Sequence, residues 1–152
     1  MKIISPAFDN GGFIPPKYTC NGENINPPLE FKEVPAEAKS LVLIMEDPDV
    51  PRQIREDGLW VHWVKFNIPP TVTFIPEGTE PPGVSGKGTA GNLEYYGPCP
   101  PDGPHRYFFK LYALAVELDL PAGATKEEVE SAMANHLIVQ AELMGIYEQN
   151  KF

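Results

Sequence analysis

Proline stands at 18 of the 152 positions, about 12% against about 5% in average usage. The prolines run from Pro6 to Pro121, so they read as many rigid turns and not as one low-complexity tail. Proline lacks the backbone N–H and fixes φ, which keeps it out of helix interiors and central strands. The densest stretch is Tyr95–Tyr107, where four prolines and two glycines precede His105-Arg106-Tyr107. It reads as a stiff loop delivering His105 and Arg106 to the start of a strand. Stiff loops that hold polar groups on a β scaffold are where binding sites tend to sit.

Between the prolines the chain reads mainly as strands. Ser40 to Glu46 carries four consecutive large aliphatics, Leu41 to Ile44, as suits a strand covered on both faces. Asp47-Pro48-Asp49-Val50-Pro51 ends it. Leu59 to Ile68 alternates, with Trp60, His62, Val64, Phe66 and Ile68 on one face by the period of two. Thr71 to Ile75 is a further short candidate, and 76–94 reads as irregular. His105 to Val116 is the longest strand signal, with His105, Tyr107, Phe109 and Leu111 sharing a face. The main helix is expected near 126–144. Thr125 and Glu128 form a capping-box pattern, Val129, Ala132, Met133, Leu137, Ala141 and Met144 make an apolar stripe, and Gly145 suits the end. The sum is one domain over 1–152 with a β-rich, sandwich-like or Greek-key core and a peripheral helix.

The formal net charge of −9 disfavours nucleic acid and anionic membranes as partners, yet leaves room for a small local anion site. Leu41 to Met45 is far too short to span a bilayer, and Met1 to Pro6 lacks the apolar region of a signal peptide, so a cytoplasmic protein is expected. In a reducing cytoplasm Cys20 and Cys99 read as two free thiols.

Of the three histidines, His136 reads as a packed residue of the helix. If the strands are neighbours, Asp47, Asp49, His62 and His105 converge at one sheet edge. Such a group suits an anion pocket, with His105 and Arg106 as charge-assisted donors and the backbone near Gly97 approachable. It also admits a metal site with two histidines and one carboxylate, or an acid–base or nucleophilic site with Cys99 as nucleophile. A rigid turn beside two core histidines, with no site at all, is the remaining reading. The residues alone leave these open.

Three blocks carry a resemblance. Asp47-Pro48-Asp49-Val50-Pro51, then His62-Trp63, then Gly97-Pro98 through Gly103-Pro104-His105-Arg106-Tyr107 resemble the phosphatidylethanolamine-binding protein family in order and spacing. That family includes the Raf kinase inhibitor proteins. Cys20 to Pro28 and Cys99 are similar to its bacterial and archaeal YbhB/YbcL branch. The resemblance, from about Phe8 to the end, implies two antiparallel sheets with a small helical complement. It implies a pocket for phosphate-like anions formed by Asp47, Asp49, His62, Gly97, Pro98, His105 and Tyr107, with Arg106 beside it. No enzymatic activity, cofactor or metal is implied. A protein kinase or a serine protease is implied as partner, and in prokaryotic members a homodimer. Other readings are a protease inhibitor acting through loops 50–58 or 76–94, and a hydrolase using the Asp/His group. The terminal helix that borders the pocket in eukaryotic members is not expected from the C-terminal residues, and Tyr95-Tyr96 is expected to narrow the entrance.

Overall fold

The computed structural model describes residues 1–149 and is mainly β. Its centre is β3 (Ser40–Asp47), in which every residue is buried. Leu41, Leu43 and Met45 point into a core shared by two sheets, while Val42 and Ile44 enter a second apolar layer on the other face. Coverage on both faces is why this strand is a continuous aliphatic run. β4 (Trp60–Ile68) and β7 (His105–Leu114) flank it, and β6 (Val84–Ser85) and β8 (Leu137–Tyr147) form the edges, in the order β6-β4-β3-β7-β8. A smaller sheet, β1 (Lys2–Ile4), β2 (Leu29–Lys32) and β5 (Phe74–Ile75), contributes Ile3, Leu29, Phe31 and Ile75 to the shared core. All strand pairings are antiparallel.

That antiparallel order positions the site. The end of β3 lies beside the starts of β4 and β7, with Asp47 opposite Trp60 and Glu46 opposite Phe108. Residues far apart in sequence therefore meet at one end of the larger sheet.

The helix expected over 126–144 is two elements. α1 (Lys126–Met133) begins as predicted: Glu128 N donates to Thr125 Oγ1 at 3.2 Å, and Thr125 N donates to Glu128 Oε1 at 2.9 Å. It stops at Met133, and Asn135 takes a positive φ of 70°. The chain then runs back along β7 as β8, placing Leu143 and Tyr147 in the shared core with Val139 and Ala141 against it. Leu137 and Ala141 are four apart, a spacing that helix and strand periods both accept. The β-branched pair Ile138-Val139 and the open edge of β7 decide for the strand. Gly145 is no helix cap: it pairs with Tyr107, and a Cβ there would come within 2.5 Å of Ile14 Cγ1. His136 is not packed on a helix but exposed in the turn between α1 and β8. The strands β1 and β2 went unread because they are short and buried on one face only.

Candidate functional site

At the end of β3 lies a cavity of about 250 Å³. Its polar floor is Asp47, His62, His105 and Tyr107; its apolar wall is Val50, Ile54, Trp60, Tyr96, Cys99, Pro100 and Pro101. All four floor residues are buried.

His62 reaches the floor through a β-bulge. Met45 pairs with Trp63 but Glu46 pairs with Val61, so β4 carries one extra residue at His62. A bulge leaves the extra residue unpaired and re-aims it. Strict alternation would group His62 with Val64 and Phe66, which instead pack in the layer beneath α1. His62 meets the ring of Tyr107 edge-on at 5.3 Å, and its Nδ1 lies 2.6 Å from the Tyr96 carbonyl oxygen. A carbonyl only accepts, so Nδ1 carries the proton.

His105 sits between two carboxylates. Its Nδ1 is 2.6 Å from Asp47 Oδ2 and its Nε2 is 2.7 Å from Asp102 Oδ1. Both nitrogens donate, which describes an imidazolium. Burial lowers the His105 pKa, but the bonds to Asp47 and Asp102 outweigh it and the net direction is upward. Burial raises the Asp47 carboxyl overall, outweighing His105 and the Asp49 N–H, which donates to Asp47 Oδ1 at 2.8 Å, both of which pull it down. The pair is one positive and one negative charge, with Asp102 adding a second carboxylate from the exposed side. Tyr107 is driven far upward, first by burial and then by Asp47, so its hydroxyl stays protonated. Asp47 and Asp102 thus occupy both ring nitrogens of His105.

His62 behaves oppositely. Burial lowers its pKa from 6.5 to about 4, partly offset by the Tyr96 bond, with His105 lowering it further. It is therefore neutral in the native protein at neutral pH. The unfolded chain takes up a proton below pH 6.5 that the native chain refuses until about pH 4. Stability should fall across that window as pH drops, by about 3 kcal/mol from this group. Urea midpoints from pH 7 to 4 check this: wild type should lose stability more steeply than His62→Gln, and parallel slopes would assign the loss to another group.

The expected site residues divide. Asp47, His62, His105 and Tyr107 meet at the cavity. Asp49 and Arg106 do not line it. Alternation along β7 places Arg106 on the opposite face, where Nε and Nη2 donate to Asp49 at 2.9 and 2.8 Å and the guanidinium lies over Phe108. Asp49 also accepts from Arg106 N at 2.8 Å, so the pair clamps the turn after β3 to the start of β7. Gly97 and Pro98 stand behind the wall. Gly97 N donates to Asn24 Oδ1 at 2.9 Å and is not free for a ligand, and a side chain at Gly97 would collide with that oxygen and the Tyr18 carbonyl. Of the tyrosine pair, only Tyr96 lines the cavity; Tyr95 packs on Trp63, edge to face at 5.2 Å.

Cys20 and Cys99 are joined as a disulfide, not two free thiols. The two lie 79 residues apart in sequence, so only the folded chain shows that they meet. The bond pins the Pro/Gly loop to the Cys20–Asn26 segment, helped by Cys20 N donating to the Pro98 carbonyl at 3.1 Å and Gln149 Nε2 to the Pro100 carbonyl at 2.7 Å. Sequence reasoning missed Ile54, Trp60 and Asp102. Trp60 was legible as a neighbour of His62 two residues along β4; Asp102 carried no signal.

The family model described as "Phosphatidylethanolamine-binding protein" matches residues 4–148. The chain belongs to the phosphatidylethanolamine-binding protein family. Within that family it is 53% identical to a UPF0098 protein of Chlamydia trachomatis, over 99% of this chain and 100% of the relative. A UPF0098 protein of Methanothermobacter thermautotrophicus is 50% identical, over 98% of this chain and 99% of the relative. The crystal structure of a phosphatidylethanolamine-binding protein homolog from Chlamydia trachomatis superposes with a TM-score of 0.96, at 53% identity over 98% and 97% of the two chains. YbcL of E. coli superposes at 0.87, with 29% identity over 98% of each chain. The chain thus falls in the bacterial and archaeal branch of the family, as the Cys20–Pro28 segment and Cys99 suggest. Among the described residues no helix is long and apolar enough to cross a membrane.

Proposed function

We propose that this protein binds a small phosphate-like oxyanion at the cavity floor, without turnover. The observation that carries the reading is Asp102. A carboxylate of the chain's own, on a largely exposed side chain, is bonded to the Nε2 of buried, cationic His105. His105 is thus a donor to an oxyanion, and Asp102 marks where an external one would sit. His105 itself is buried beside the apolar wall, which strengthens a bond made to it from inside the cavity. Support for the absence of turnover is that the cavity's one sulfur, Cys99, is bonded to Cys20 and has no thiolate to offer. The exposed Ile54 and Tyr96 lie at this cavity, so occupancy alters the face a protein partner, such as a kinase, would meet.

If an external anion replaces Asp102, removing that carboxylate should favour binding. Asp102 is mostly exposed, so the competition is screened and modest. Calorimetric titration with phosphate should find Asp102→Asn tighter than wild type by about two- to fivefold. Weaker or unchanged binding would place the anion elsewhere.

A further inference from the structure

We propose that His62 makes this cavity selective for phosphates that carry a P–OH group. Inorganic phosphate and phosphomonoester monoanions would bind in preference to oxyanions with no proton to give, sulfate and phosphodiesters. The inference rests on the anion-binding reading above and deepens it.

The tautomer of His62 carries it. Nδ1 faces the Tyr96 carbonyl at 2.6 Å and must keep its hydrogen, because that oxygen can only accept. The neutral ring then presents a bare lone pair at Nε2. No described residue bonds that nitrogen, and the ring lines the cavity. The ligand therefore meets an acceptor at His62 and a donor at His105. A phosphate with one hydroxyl satisfies both: P–OH donates to His62 Nε2, and an anionic oxygen accepts from His105 Nε2–H once Asp102 has moved aside. Sulfate or a phosphodiester would set an oxygen lone pair against that of His62, leaving two acceptors unpaired in a desolvated site.

The surrounding charges reinforce the choice. The groups that line the cavity with His62 are Asp47 from β3, His105 and Tyr107 from β7, and Tyr96 from the Pro/Gly loop, while Asp102 reaches His105 from the exposed side. Asp47 and His105 offset each other, and no lysine or arginine lines the cavity. A singly charged, proton-bearing anion suits such a floor better than a bare dianion. Burial keeps His62 neutral down to about pH 4, so Nε2 becomes a donor only in acid. Sulfate binding should accordingly strengthen as pH falls toward 4. Phosphomonoester binding should weaken as pH rises through the ligand's second pKa, about 6.

The test is calorimetric titration at pH 7 with phosphate, sulfate and dimethyl phosphate, on wild type and His62→Gln. Wild type should hold phosphate at least about tenfold tighter than the other two, the value of one hydrogen bond to a charged group. The glutamine amide can turn its NH₂ toward either anion, so the variant's preference should shrink toward unity. Equal wild-type affinity for phosphate and sulfate overturns the selectivity while leaving the anion pocket standing. No binding of any of the three overturns both. ¹⁵N NMR of wild type provides a check free of folding effects: the His62 ring should be the Nδ1–H tautomer with Nε2 unprotonated at pH 7, and an Nε2–H tautomer overturns the inference.

Discussion

Replacing Cys20 and Cys99 together by serine should cost about 4 kcal/mol of stability. The bond closes a loop with a sequence separation of 79 residues. In the chain-entropy account, cross-linking a loop of that size removes about 4.5 kcal/mol of freedom from the unfolded state, and measured losses run from about 2 to 5 kcal/mol. Urea unfolding of wild type with and without reductant, beside Cys20→Ser/Cys99→Ser, measures it. Reduced wild type and the double variant should coincide, both well below the oxidised protein. The loop keeps its bonds from Gly97 to Asn24, from Cys20 to Pro98 and from Gln149 to Pro100. The variant should therefore stay folded, with a weaker hold on phosphate because Cys99, Pro100 and Pro101 are cavity wall. Equal stability of oxidised and reduced protein would mean those bonds alone fix the loop.

Removing His105 should be at least as damaging. His105 and Asp47 are both buried, and His105→Ala would leave the Asp47 carboxylate without its counter-charge. Breaking a buried pair from one side costs about 3–5 kcal/mol. Asp47→Asn/His105→Asn replaces charge by neutral polar groups and should regain much of that loss. Neither variant should bind phosphate, because the cationic donor is gone from both. Denaturant midpoints and calorimetry on the two variants separate the effects. A double variant that regains stability and also binds phosphate would remove His105 from the binding account.

What the sequence disclosed follows from which forces are local. The continuous aliphatic run of β3, the capping box of α1 and the Pro/Gly loop before β7 are written in adjacent residues, and each stands where it was expected. The convergence of Asp47, His62 and His105 was an inference from strand ends, and antiparallel pairing fulfils it. The failures are non-local. Within the stripe from Val129 to Met144, the pair Leu137 and Ala141 suits both periods, and only the open edge of β7 turns this second half into a strand. The bulge that aims His62 depends on the register against β3, which no run of residues in β4 encodes. Asp49 and Arg106 resembled ligand groups by type, yet alternation along β7 sends Arg106 to the far face, where the two satisfy each other. Asp102 stands between Pro101 and Gly103 with nothing local to mark it, because its bond to His105 exists only once the loop has folded.

The central claim is that His105, vacated by Asp102, is where an oxyanion binds. NMR titration of wild type with inorganic phosphate tests it most directly, following the Asp102 carboxyl carbon and the ring nitrogens of His105. The competing basic surface is the cleft lined by Arg55, Lys87 and Lys126 at the start of α1. The account predicts that the Asp102 carboxyl signal moves to that of a free carboxylate while both His105 nitrogens stay protonated, with Lys87 and Lys126 undisturbed. Shifts confined to Lys87 and Lys126, with Asp102 and His105 unchanged, would contradict it.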